Sequence, residues 1–179
     1  MKEHHRKESP ILSLLGMGGG VGSNLISGGA GATPITASGG NVDGQAPGNG
    51  YKYHTFTSPG TFTVSDGSGD IELLIVAGGG AGGGSYGSGG GAGGLRFYPA
   101  FPVSPGPYSV TVGSGGAAPD SQGPGGAQGG NSTFGPKTAT GGGGSYGYGG
   151  AGGSGSVNGG SGGGAHPAAT PPDAGTGET

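Results

Sequence analysis

Ile71-Glu72-Leu73-Leu74-Ile75-Val76-Ala77-Gly78-Gly79-Gly80-Ala81-Gly82-Gly83-Gly84 passes within one residue from the most apolar run of the chain to a tract almost free of side chains. Its first half follows the turn Asp66-Gly67-Ser68-Gly69-Asp70 and reads as a buried strand, the centre of whatever small core exists. In the second half Gly78, Gly80 and Gly83 match the dinucleotide-binding spacing G-x-G-x-x-G. That fingerprint works only where a helix N-terminus faces the pyrophosphate and an acid about 20 residues on meets the ribose. Here the twelve residues 84–95 include seven glycines, and the next acid is Asp120. With 55 glycines among 179 residues the match is expected by chance, and the junction reads as a strand emptying into a glycine tract.

Outward from this junction the same alternation recurs. Residues 51–57 and 61–64 flank Ser58-Pro59-Gly60 as a β-hairpin, with Tyr51, Tyr53, Phe62 and Val64 on its inward face. Further strands are expected at 95–98 and, after Pro105-Gly106-Pro107, at 108–112. A last hairpin is expected from residues 131–134 and 137–140 about Gly135-Pro136. Between the strands lie glycine tracts at 78–94, 113–130 and 141–164. From Leu73 to Ala165 the only charged side chains are Arg96, Asp120 and Lys137, which leaves little for side-chain chemistry. Glycine does not recur strictly every third position, so the tracts are not collagen. They can run as extended threefold helices like polyproline II, in which bare backbones approach and exchange N–H···O and Cα–H···O bonds. The expected fold is all-β: a small antiparallel β-sandwich-like domain with polyglycine, polyproline-II-like loops.

Composition argues that such a domain leans on neighbours. Ile, Leu, Val and Phe together number 25 of 179 residues, below the roughly one-fifth at which a conventional core becomes doubtful. The net charge is only −3, so the chain also lacks the high charge of solvated disorder. A self-contained enzyme is not expected; association with copies of itself is. The absence of cysteine removes disulfides and thiolate metal sites. Four regions follow: an anchoring segment 1–27, an extended linker 28–50 without periodicity, the glycine-rich β domain 51–164 and a Pro-rich tail 165–179. In the first, Ser9-Pro10 caps a short run whose Ile11, Leu12, Leu14 and Leu15 are exposed hydrophobes that need a partner to dock on. The run is shorter than the about 7–15 apolar residues of a signal peptide, and no apolar run is long enough to span a membrane.

Other apparent sites dissolve on inspection, and no catalytic, cofactor-binding or metal residue is expected. Residues 130–138 approach a phosphate-binding loop, but Pro136 removes a needed N–H and no helix follows. Asp66, Asp70 and Glu72 lack calcium-loop register, and His4, His5, His54 and His166 lack convincing ligand spacing. No nucleophile elbow is present, and six Lys and Arg make no basic stripe for nucleic acid. Asn131-Ser132-Thr133 fits a glycosylation sequon but carries little weight without a secretory signal. Tyr86, Tyr146 and Tyr148 stand out as large amphipathic rings on bare scaffold, suited either to stapling tracts together or to contacting a sugar or protein.

Several segments occur together in one order: 54–57 with 60–64, 74–80, 105–113, 131–135 and 138–143. As a set, over about residues 51–164, they resemble the glycine-rich domain of bacteriophage tail-fibre and other virion fibre proteins. The resemblance implies a small β domain displayed on a virion surface, often as a trimer and sometimes concerned with host attachment. The short chain has no shaft or coiled-coil heptads, which favours a fibre or decoration subunit held to a capsid, portal, neck or tail protein through residues 9–27. The alternatives are an adhesin whose loops touch a host surface glycan or protein, and an ice-binding or cell-wall glycine-rich protein.

Overall fold

Short alternating runs make short strands, and the pairing among them places the core. The computed structural model describes residues 34–45, 51–84, 88–120, 125–147, 158–164 and 175–177, all within the unit Ala32–Thr179. The described residues contain nine strands and no helix. They are β1 (Thr36–Ser38), β2 (Val42–Gln45), β3 (Tyr53–Thr55), β4 (Gly60–Asp66), β5 (Gly69–Val76), β6 (Leu95–Val103), β7 (Gly106–Thr111), β8 (Ser132–Phe134) and β9 (Lys137–Ala139). β1-β4-β7-β8-β9 form one sheet, β2-β3 a second and β5-β6 a third, and every pair is antiparallel.

Side chains of the five-stranded sheet and of β5-β6 meet in one hydrophobic core. Phe62, Val64, Val110, Phe134 and Ala139 come from the larger sheet, and Leu73, Ile75, Phe101 and Val103 from β5-β6. Phe134 is at its centre: its ring lies 5.7 Å from Phe62 and 5.6 Å from Phe101, edge-on to the latter, and stacks on Tyr108 at 5.5 Å. Such offset and edge-on pairs add to the gain from burying large rings.

Two expectations need correction. Residues 51–57 and 61–64 do not pair as a hairpin, because other strands pair with each of them. β2 takes β3, and β1 takes one edge of β4 while β7 holds the other. Gly39, at φ +117°, makes this possible, since a Cβ there would fall 2.2 Å from Thr61 O. Asn41 closes the junction, donating its N–H to Thr55 O at 2.7 Å and accepting from Thr57 N–H at 2.7 Å through Oδ1. Consequently Phe62 and Val64 are buried, but Tyr51 and Tyr53 face solvent. β1 and β2 both come from within residues 28–50, the stretch read from sequence as a connector. The turn at 66–70, the strands at 95–98 and 108–112 and the last hairpin, with Gly135 at φ +51° in its turn, form close to where the sequence places them.

The tracts leave the strands in out-and-back excursions whose ends are held by paired residues: Val76 opposite Leu95, and Thr111 opposite Thr133. A third run leaves β9 at Ala139, opposite Ser132. Beyond these points the backbone N–H groups bond to neighbouring tracts at intervals of three residues. Ala77, Gly80 and Gly83 donate to Gly94, Gly91 and Ser88 of the returning tract, while Gly78 and Ala81 donate to Gly130 and Ala127 of the second excursion. Gly142 and Ser145 donate back to Gly78 and Ala81, and Gly116 to Gly79. Residues 77–83 thus touch four other tracts. The outer ones are tied in the same way, Gly91 and Gly94 to Gly143 and Thr140, and Ser161 and Gly164 to Ala92 and Gly89.

Candidate functional site

Because the tracts bond through their backbones, spacing between them is set by the absence of Cβ atoms. A Cβ built on Gly80 would lie 2.1 Å from Gly143 O, on Gly129 2.1 Å from Gly78 O, and on Gly141 1.9 Å from Gly129 O. None of these three has a positive φ, so glycine is needed for close approach and not for a special backbone conformation. Gly89 has open space around its missing Cβ, and Ala92 and Ala117 point their methyls outward.

Some tract amides are met by a polar side chain instead of by another tract. Ser132 Oγ accepts from Gly113 N–H at 2.9 Å, Asn131 Oδ1 from Gly141 N–H at 2.8 Å and Asn158 Oδ1 from Thr176 N–H at 2.8 Å. Ser145, fully buried, accepts from Gly126 N–H at 2.9 Å. The first two belong to the glycosylation-like triplet, whose Asn131 and Ser132 here cap the glycine bundle. An amide buried without its acceptor costs about 1–3 kcal/mol. Ser145→Ala should therefore lower stability by about that amount, readable as a shift in the urea midpoint, whereas the exposed Ser109→Ala should leave it within about 0.5 kcal/mol.

Of the seven residues expected to act as anchor or surface contacts, Tyr146 alone is described. It is half-buried in the bundle, its N–H directed at Gly164 O at 3.4 Å. Ile11, Leu12, Leu14, Leu15, Tyr86 and Tyr148 lie outside the described residues. No cluster of three or more His, Cys, Asp or Glu able to hold a metal ion occurs among the described residues, and no helix among them is long and apolar enough to cross a membrane. His54 is in β3 with Nδ1 3.0 Å from Gly39 O and 3.1 Å from Asp43 Oδ1, bracing the β1-β2 turn, and its ring meets that of Phe62 edge-on at 5.1 Å.

A feature that the sequence reading missed is the outer face of β5-β6. Leu74 stands opposite Phe97 and Val76 opposite Leu95, and all four side chains are exposed, by 57, 54, 55 and 64% respectively. The alternation that buries Leu73 and Ile75 must turn Leu74 and Val76 outward, yet the uninterrupted apolar run hides it. Glu72, on the same face, accepts a hydrogen bond from Tyr51 Oη at 3.3 Å. The Glu72 carboxylate, by its charge first and this bond second, raises the Tyr51 phenol above its ordinary value. Because the folded state holds that proton more tightly, the contribution is present below about pH 10 and is lost as pH rises through the raised value. An NMR titration of the tyrosine ring carbons should show Tyr51 ionising later than an ordinary tyrosine, and Glu72→Gln should bring it back down.

The geometry defines a class before it defines a role: an all-β module whose antiparallel sheets carry backbone-bonded glycine tracts. A family model described as a glycine-rich domain matches residues 54–179, and the chain belongs to that family. Neither the curated proteins nor the solved structures yield a match.

Proposed function

We propose that the chain is a non-enzymatic structural subunit of a bacteriophage virion, a short oligomeric fibre or decoration protein. In this reading residues 9–27 seat in a capsid, neck or tail protein, with Ile11, Leu12, Leu14 and Leu15 as the apolar contact. The glycine-rich β domain projects from the particle surface, assembled with copies of itself, three being the expected number. Its tracts run as threefold extended helices of the polyglycine II kind. The observation that carries the reading is the bundle itself: donors recurring at every third residue bond one tract to several neighbours. Such a scaffold suits shape and rigidity, because where backbones bond directly to backbones few side chains stand between them. The order of the strand and tract segments supports the virion assignment.

Deleting residues 1–27 tests the anchor. Particles assembled with the truncated chain should lack it, while the purified truncated domain still associates with itself. Normal incorporation of the truncated chain would refute anchoring by this segment. The second reading is a host-binding adhesin with Tyr146, half-buried in the bundle, as one contact, in which excess purified domain blocks adsorption of particles to cells.

A further inference from the structure

We infer that the outer face of β5-β6 is where one copy of the chain packs against another. The inference rests on the self-association proposed above and assigns it a surface; a face that meets its own copy closes as a twofold pair, so this contact by itself joins two copies and a third would need a second surface. Leu74, Val76, Leu95 and Phe97 form a two-by-two block of side chains set directly across from one another on neighbouring strands. A chain with 25 Ile, Leu, Val and Phe residues places four of them on this one outward face. At their exposures the four leave about 400 Å² of apolar surface in water, as large as the biggest patch on a typical monomer. Tyr51 and Tyr53, 51% and 47% exposed with rings 6.2 Å apart, extend the face past Glu72. With them the patch reaches roughly 600 Å² per copy, so two copies meeting would cover about 1,200 Å², the lower bound of a specific interface.

Area and chemistry select the occupant. The block itself holds no charged side chain that would call for a partner of opposite sign, and Glu72 at its margin is engaged by Tyr51. A flat apolar sheet face is complementary to itself, since two such faces stack at about 10 Å with side chains interleaved. A small apolar patch on a single copy gains its full area only when the covering surface is equally flat and apolar, and a second β5-β6 face meets that condition.

The test uses the full chain. Sedimentation equilibrium from about 1 to 100 μM should show wild type associating, and the mass reports the number of copies. The double variant Leu74→Lys/Phe97→Lys should associate at least tenfold more weakly, with unchanged circular dichroism because both sites are exposed. The chain has no cysteine, so single replacements report contacts cleanly. Leu95→Cys should oxidise to a covalent pair, and Thr57→Cys, exposed elsewhere, should not. Association of the double variant at wild-type strength, together with no pair from Leu95→Cys, would overturn the assignment of this face while leaving oligomerisation standing. A wild-type chain that stays monomeric throughout would overturn both. If replacing Ile11, Leu12, Leu14 and Leu15 by serine turns a monomer into an oligomer, the chain's own leader covers the face and the inference fails.

Discussion

Gly80→Ala should unfold the domain or lower its melting temperature by more than ten degrees, while Gly89→Ala should melt at or slightly above the wild-type temperature. The two substitutions add the same methyl and remove the same backbone freedom, so they differ only in what the methyl meets. At Gly80 it meets backbone on another tract: Gly143 O at 2.1 Å and Gly142 O at 2.8 Å. Neither can rotate away, and Gly142 and Gly143 are themselves bonded to residues 78 and 91, 129 and 161. Forcing extra volume into a packed interior typically costs about 1–3 kcal/mol and more where nothing yields, against a total stability of about 5–15 kcal/mol for a domain. At Gly89 nothing stands within 4 Å. There alanine restricts only the unfolded chain, a gain of about 0.4–1 kcal/mol. Thermal melts of the two variants beside wild type make the comparison. Equal melting temperatures would mean that the tracts are not in contact.

Phe134→Ala is the other large effect. Phe134 touches Phe62, Phe101 and Tyr108, so its removal opens a cavity between the two sheets at the point where they meet. Loss of a buried phenylalanine costs about 3–5 kcal/mol, enough to leave a domain with so few core residues largely unfolded at 37 °C. The same truncation at Phe97, exposed on the outer face, should change monomer stability by less than about 0.5 kcal/mol. Urea titrations followed by far-ultraviolet circular dichroism distinguish the two.

What could be read in the sequence depends on how local the cause is. The β8-β9 hairpin and the 66–70 turn are specified by glycines at the turn itself, so they were legible. The pairing of β4 was not, because its partner β1 lies in a stretch whose Thr36-Ala37-Ser38 has no hydrophobic alternation to announce it. Tyr51 and Tyr53 suggest an inward face by residue type, but β2 rather than β4 pairs with their strand, and that pairing turns them outward. The outer face of β5-β6 was hidden by its own hydrophobicity: Leu73 to Val76 reads as buried throughout, and only the burial of alternate residues separates Leu73 and Ile75 from Leu74 and Val76. For the tracts, composition announced backbone-to-backbone contact, but which tract meets which follows from strand order. The capping roles of Ser132, Ser145, Asn131 and Asn158 depend on that pairing and could not be seen before it.

Amide hydrogen exchange along residues 77–83, read residue by residue by NMR, bears most directly on whether backbone bonding between tracts holds this protein together. Ala77, Gly80 and Gly83 face one neighbouring tract and Gly78 and Ala81 another, whereas Gly79 and Gly82 face solvent. Slow exchange at 77, 78, 80 and 81 with fast exchange at 79 and 82, a threefold rhythm, is the result expected. Uniformly fast exchange from 78 to 83, in a chain whose β4 and β7 amides are protected, would contradict it.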